Sequence, residues 1–320
     1  MGKLLAALLL ALGVSQAAAE SPTDCRRAAP QPMGNDTLMT PRAAQTGAIW
    51  RPGRQFEHVV IIVLENKDYD QVVAHPYFRG LASRGTLLTR FTGLFHPSYA
   101  NYLAMVGGRY FGSRKDDQID LPRDVPTIAD LLEAKGLTWR QYAEGFPGNC
   151  SRAADAKSGR YGRKHVPFLS FQSVTADLRR CSNVVDADRF DRTRLPNYAF
   201  YSPGLCHDGH DRCSPFGDRL DNAAKWLNGF LEPILSDADV MNNTLIVVTF
   251  DESEDRRHNH VYTLFLGDMV VPGGRVDQCY DHYNVLRTIE DNFGLGTLGG
   301  EDARSSSIIG AFRAAEATAK

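Results

Sequence analysis

The sequence has no strong excess of charge of either sign: 36 Lys and Arg stand against 38 Asp and Glu, for a formal net charge of −2. With acids and bases interspersed, it offers no surface suited to nucleic acid or an anionic membrane as main partner. It has no internal repeat, and no low-complexity linker divides its middle, so one domain is the simpler organisation. After its first residues it has no uncharged apolar run long enough to cross a bilayer. The mature chain is therefore expected to be soluble, without stable membrane insertion. Cysteine is scarce, but its 6 copies are even in number and fit disulfides in an oxidising compartment.

The exception to the lack of apolar runs is the start, MGKLLAALLLALGVSQAAAE. One early Lys, a short apolar stretch and small residues near Ala17 to Ala19 read as a secretory signal peptide, assigned to residues 1–19. Secretion follows, extracellular or periplasmic. Asn35 (NDT), Asn149 (NCS) and Asn242 (NNT) are glycan acceptors in a eukaryotic host, which would make the chain a glycoprotein. Residues 20–55, with Pro, Gly, Ala and Thr but no periodicity, read as an extended arm. Residues 56–320 are long enough for one large α/β domain.

Two stretches dominate that domain. HVVIIVLEN, from His58 to Asn66, is an unbroken β-branched run that stops at a carboxylate and an amide. TLIVVTFDE, from Thr244 to Glu252, repeats the pattern and stops at two acids. Both read as strands buried on two faces, the mark of the middle of a parallel sheet. Ligand crevices in open α/β sheets lie at the carboxyl ends of the strands. Glu65, Asn66, Asp251 and Glu252 thus form a candidate oxygen-ligand set for a hard or borderline cation. The plainer alternative is that such acids cap the next helix or face water.

A third stretch, GLFHPSYANYLAMVGG, puts Ser98 at a turn before an amphipathic helix closed by two glycines. A hydroxyl there is presented with backbone N–H groups and the helix dipole, as a phosphate-accepting nucleophile requires. Asn101, one turn on, can donate to a phosphoryl oxygen. A simple N-cap role for Ser98 is the alternative.

Elsewhere, residues 68–85 read as one helix closed by Gly85, followed by a strand over 86–91. Thr127 with Asp130 caps a helix ending at Gly136, and the strand-like TWRQYAE follows. Residues 145–194 are polar and basic, either a substrate-contacting insertion or a solvated face. Asn197 to Cys213 begins as a strand and ends in a turn holding His207, Asp208, His210 and Asp211, suited to a transition metal or phosphate, or else simply closed by its two cysteines. Proximity along the chain suggests pairing Cys206 with Cys213, Cys150 with Cys181, and Cys25 with Cys279. Residues 216–235 read as a long core helix, VYTLFLGD as a strand, and 280–293 as a helix whose first turn carries His282. The tail after Gly299 is expected to fray.

Taken in order, LENKDYDQV, HPSYANYLAMVGGRYFG, LCHDGHDRCSPFGD, VVTFDESED with HNHVYTLFLG, and YDHYNVLRTIEDNFGL resemble the bacterial and fungal phosphoesterase family. That family holds acid phosphatases and phosphatidylcholine-type phospholipases C, within the alkaline-phosphatase-like superfamily. The resemblance runs from about Glu57 to Leu298. It implies an α/β fold, a three-layer α/β/α sandwich with a mostly parallel central sheet. It also implies a metal-activated Ser or Thr that accepts the phosphoryl group. On these motifs Glu65, Asn66, Ser98, Asp251, Glu252 and Asp208 would hold a divalent metal ion whose identity and number the motifs do not specify. Ser98 would be the nucleophile, with His210 and His260 catalytic, and Asn101 and His207 phosphate-binding. Asp211 belongs to the same turn. One departure is visible: where the family has a Gly-rich step before the last His, this chain has SEDRRH.

The expectation is a secreted, metal-dependent acid phosphatase acting on small phosphomonoesters through a phosphoserine. Because His titrates near neutrality or just below, a mildly acidic optimum is expected. Ser98 with Asn three residues later is closer to the acid phosphatase branch. The alternatives are a phospholipase C or other phosphodiesterase on the same scaffold, sulfatase or phosphonate chemistry, and a non-catalytic binding protein.

Overall fold

The computed structural model describes Cys25 and residues 54–148, 150, 160–213 and 217–313. The expected signal segment, nearly all of the arm, and Asn35 and Asn149 lie outside the described residues. Among the described residues, eight strands form one sheet: β1 (His58–Leu64), β2 (Thr86–Thr92), β3 (Trp139–Ala143), β4 (Val184–Asp186), β5 (Tyr198–Ser202), β6 (Thr244–Phe250), β7 (Thr263–Leu266) and β8 (Gly274–Asp281). The α-helices are α1 (Tyr69–Ala74), α2 (Pro76–Ala82), α3 (Tyr99–Gly107), α4 (Ile128–Ala134), α5 (Gln172–Thr175), α6 (Leu178–Cys181), α7 (Arg219–Leu235), α8 (Ala238–Met241) and α9 (His282–Phe293).

The strand order is β4-β3-β5-β1-β6-β7-β2-β8. All neighbours run parallel except at β7, which is antiparallel to both β6 and β2. β1 and β6 lie at the centre, and their side chains are buried along nearly the whole length of both. That is why their sequences show no polar alternation. Each such side chain contributes roughly 1.5–3 kcal/mol on leaving water. Helices cover both faces. Ile61 and Thr249 line a small cavity with Met105 of α3 and Val285, Leu286 and Ile289 of α9. On the opposite face, Phe250 meets Phe78 of α2 with ring centroids 6.0 Å apart. This is a mostly parallel α/β sandwich, as expected.

Local chemistry fixes the element ends. Thr127 and Asp130 form a capping box at α4, and Asp281 and Asn284 form another at α9. Gly108, at φ 67°, closes α3 in the left-handed region that glycine adopts without strain. The disulfides are Cys25–Cys279, Cys150–Cys181 and Cys206–Cys213, the pairs suggested by proximity along the chain. Of the sequons, only Asn242 is described; it is exposed at the end of α8.

Four expectations need correction. Residues 68–85 form two helices, because Pro76 cannot continue α1 and instead opens α2, capped by the His75 side chain. Residues 274–281 form β8, an edge strand whose mixed burial hides its periodicity, so α9 begins only at His282. The stretch 160–175 is no solvated face: Tyr161, Val166, Phe168, Leu169, Phe171 and Val174 belong to the core. Nor does the tail fray up to Arg313, since Ile308 is buried and its N–H donates to Thr288 Oγ1 at 2.9 Å.

Candidate active site

The register of the two central strands builds the site. Leu64 of β1 lies beside Phe250 of β6, so Glu65 and Asp251 emerge together at the carboxyl end of the sheet. Glu65 N–H donates to the Asp208 carbonyl at 2.7 Å, which draws the 207–211 turn onto the same end. Asn66 turns the chain sharply, at φ 30°. Its N–H donates to Asp251 Oδ1 at 3.2 Å and its side-chain amide to Glu252 Oε1 at 3.0 Å. Lys67 supports this turn, with Nζ 2.7 Å from the Asn66 carbonyl and 2.6 Å from Glu254.

Ser98 enters from the start of α3. It occupies the N-cap position but makes no side-chain cap bond. Its hydroxyl instead lies 3.1 Å from Glu65 Oε2, 3.2 Å from Glu252 Oε1 and 3.4 Å from Asn66 Oδ1. Only 2% of the residue is exposed. A buried hydroxyl between two carboxylates, at the positive end of a nine-residue helix, is arranged for chemistry on an anion.

Burial drives the electrostatics. Desolvation raises the pKa of Glu65, opposed by Lys164, by the Tyr102 hydrogen bond, by His210 and by Ser98. Desolvation and then the Glu65 charge push Asp208 well above the carboxylate range. Desolvation, Glu65 and Glu252 do the same to Asp251. Asp208 Oδ2 and Asp251 Oδ2 are buried without hydrogen-bond partners. Buried carboxylates with orphaned oxygens lack a positive charge between them. Among the described residues, no three His, Cys, Asp or Glu side chains form a ready-made metal cage. The donor chemistry nevertheless fits a hard or borderline divalent cation: carboxylates, an amide oxygen and a hydroxyl meet at one point.

Of the sequence-predicted residues, Glu65, Asn66, Ser98 and Glu252 are in direct contact, Asp251 binds Asn66, and Asp208 binds the backbone of Glu65. Others lie apart. Asn101 was expected to donate to phosphate, but its Oδ1 accepts from the N–H groups of Leu94 and Phe95 and its Nδ2 donates to the Phe95 carbonyl. The amide pins the loop before Ser98. His260 Nε2 lies 2.9 Å from the Thr89 carbonyl, and its ring stacks on Tyr69 at 3.9 Å. Burial lowers its pKa. His207 pairs with Glu144 at 2.6 Å and lies over Trp226. His210, by contrast, stays at the rim of the cluster: it is half exposed, its N–H donates to Asp208 Oδ1 at 2.9 Å, and its Nδ1 lies 2.7 Å from Asp211. His282 supports the site from below: Nε2 is 2.7 Å from the Asp251 carbonyl, and burial pushes its pKa down to about 4.

Three contributors escaped the sequence reading. Tyr102, one turn after Ser98, donates its hydroxyl to Glu65 Oε1 at 2.8 Å. His165 lies 3.1 Å from the same oxygen, stacked on the Tyr102 ring. His96 Nδ1 lies 2.8 Å from Glu252 Oε2. The i, i+4 spacing of Ser98 and Tyr102 was a usable signal. So was a histidine next to the apolar VPFLSF, where a polar group needs a partner.

The model of the phosphoesterase family matches residues 73–296. The chain belongs to the phosphoesterase family. As a phosphoesterase-family chain it is 35% identical over 269 residues to an acid phosphatase of Aspergillus fumigatus, covering 80% of this chain and 59% of that one. It is 34% identical over 305 residues to an acid phosphatase of Aspergillus niger, covering 90% and 70%. It is 33% identical over 251 residues to a phosphatidylinositol-3-phosphatase of Mycobacterium tuberculosis, covering 76% and 79%. The match thus spans about three fifths of the length of the A. fumigatus relative. Among solved structures, it resembles a protein in the alkaline phosphatase superfamily from Vibrio parahaemolyticus, with TM-score 0.50 and 12% identity over 76% of this chain and 68% of that one. It also resembles a 2-O GAG sulfatase, with TM-score 0.51 and 13% identity over 79% and 73%. These two likenesses are of fold alone: the chain shares the α/β architecture of both solved structures.

Proposed function

We propose that this chain is a secreted, metal-assisted acid phosphatase that hydrolyses small phosphomonoesters with Ser98 as nucleophile. One observation carries the reading: the Ser98 hydroxyl does not cap its own helix but stands between Glu65, Glu252 and Asn66 at the ends of two adjacent parallel strands. Relatives named as acid phosphatases support the same reaction class. The apolar leader and three disulfides support secretion.

Glu65, Asn66, Ser98, Asp208, Asp251 and Glu252 are the residues that would hold the divalent cation. When bound, such a cation lowers the pKa of a hydroxyl and neutralises clustered carboxylates. The protein's own part is as follows. Ser98 Oγ forms a bond to phosphorus in line as the bond to the ester oxygen breaks. Glu65 or Glu252, each within 3.2 Å, takes the hydroxyl proton. The positive end of the α3 dipole faces the charge on the equatorial oxygens. His210, half exposed with Nδ1 on Asp211, gives the departing alcohol its proton. Water then cleaves the phosphoserine, releasing phosphate and restoring the hydroxyl.

The test is hydrolysis of p-nitrophenyl phosphate by wild type and Ser98→Ala, each with and without chelator. Loss of about a thousandfold in the mutant, and loss under chelation, are expected. Activity surviving in Ser98→Ala would move the nucleophile elsewhere.

A further inference from the structure

Lys164 and Asp116 have no part in the reaction outlined above, yet both touch its edge. Lys164 directly precedes His165, whose Nε2 lies 3.1 Å from Glu65 Oε1. Lys164 Nζ is 3.0 Å from Asp116 Oδ2. The other oxygen of Asp116 accepts the N–H of Tyr99 at 3.2 Å, the residue after Ser98. One carboxylate therefore ties an ammonium group to the first turn of the helix that presents the nucleophile. The Lys164 side chain is 27% exposed, whereas that of Glu65 is 1% exposed, and the lysine charge is felt by both Glu65 and Asp251. Two other cations nearby hold the protein's own groups: Arg163 donates to the Leu169 carbonyl at 2.7 Å, and Lys67 to the Asn66 carbonyl and Glu254 at 2.7 and 2.6 Å. Burial works against the Lys164 charge, but Glu65, Asp116 and Asp251 outweigh it and hold the pKa above its ordinary value.

We propose that Lys164 is a specificity-determining residue that selects dianionic phosphomonoesters over monoanionic phosphodiesters, with Asp116 as its positioning residue. A fixed ammonium group attracts a dianion more strongly than a monoanion, because the interaction scales with the product of the charges. A substrate dianion brought against Glu65, Asp251 and Glu252 needs that compensation more than a diester does. Asp116, anchored to the Tyr99 N–H, keeps the lysine from swinging into solvent, where its charge would be screened.

The inference rests on the phosphomonoesterase reading, and the experiment separates the two. The ratio of kcat/KM on p-nitrophenyl phosphate to that on bis(p-nitrophenyl) phosphate is measured for wild type, Lys164→Met, Lys164→Arg and Asp116→Asn, all purified without chelator. The ratio should fall about tenfold in Lys164→Met, equivalent to about 1.4 kcal/mol. It should be largely kept in Lys164→Arg and fall partway in Asp116→Asn. An unchanged ratio in Lys164→Met, including equal losses on both esters, overturns the proposal. If wild type cleaves neither ester, the phosphatase reading fails, and calorimetric titration with inorganic phosphate then decides the role of Lys164. Affinity about tenfold weaker in Lys164→Met supports the charge site, and equal affinity overturns it.

Discussion

Replacing Glu290 by Gln should stabilise the protein at neutral pH and flatten the dependence of its melting temperature on pH. Glu290 on α9 is fully buried, and neither of its oxygens receives a hydrogen bond. It faces Asp302, also fully buried, whose Oδ1 accepts the Gly300 N–H at 2.8 Å and whose Oδ2 accepts the Leu298 N–H at 2.6 Å. Asp302 thus receives two backbone N–H donors, whereas Glu290 receives none. Burial first, and the Asp302 charge second, push the Glu290 pKa up to about 9, with Arg287 opposing. The folded value lies above the unfolded one, so the stability is full below pH 4.5 and is lost as pH rises towards about 9. Between pH 5 and 7 the loss is roughly 2.7 kcal/mol, at about 1.36 kcal/mol per unit. For a domain of this size that is a fall of roughly 5–10 °C in Tm. Gln keeps a donor towards Asp302 and has no proton to lose. Glu65, Asp208, Asp251 and His282 titrate alike in both proteins and cancel in the difference. Thermal denaturation of both proteins across pH 5–8 reads the effect. Parallel curves would refute the reasoning.

Two further changes test the supports of the site. Tyr102→Phe removes the hydroxyl donor to buried Glu65 and should cost about 1–3 kcal/mol in denaturant unfolding; a change within about 0.3 kcal/mol would show that this bond is not needed. Gly108→Ala puts a Cβ at φ 67° and into the Asp302 carboxylate, so it should destabilise by well over ~1 kcal/mol, whereas Gly136→Ala, at φ 69° but with open space around it, should cost only the ~1 kcal/mol of backbone strain. Equal losses would show that the Asp302 contact does not matter.

How far the sequence can be read depends on how local each signal is. β1 and β6 were legible because a central parallel strand writes its burial into consecutive residues, and the acids that end them sit where such sheets place ligands. β8 was not, because an edge strand with only Val276, Tyr280 and Asp281 buried carries no period-2 signature. The residues around Ser98 left it between a nucleophile and an N-cap, since its release from capping depends on Glu65 and Glu252 arriving from two other elements. Asn101 shows the limit most clearly. Its position on α3 is set by helical spacing, while the direction of its amide is set by the unpaired N–H groups of Leu94 and Phe95 and the Phe95 carbonyl, which need a partner where the chain enters the helix. His165 is the converse: it lies in a stretch that composition marks as polar and basic, yet only tertiary packing against Tyr102 puts it beside Glu65. Residue type and spacing therefore identify which groups could do chemistry at this site. How they are oriented is decided also by backbone groups elsewhere that must be satisfied, and for Asn101 that demand sets the direction of its amide.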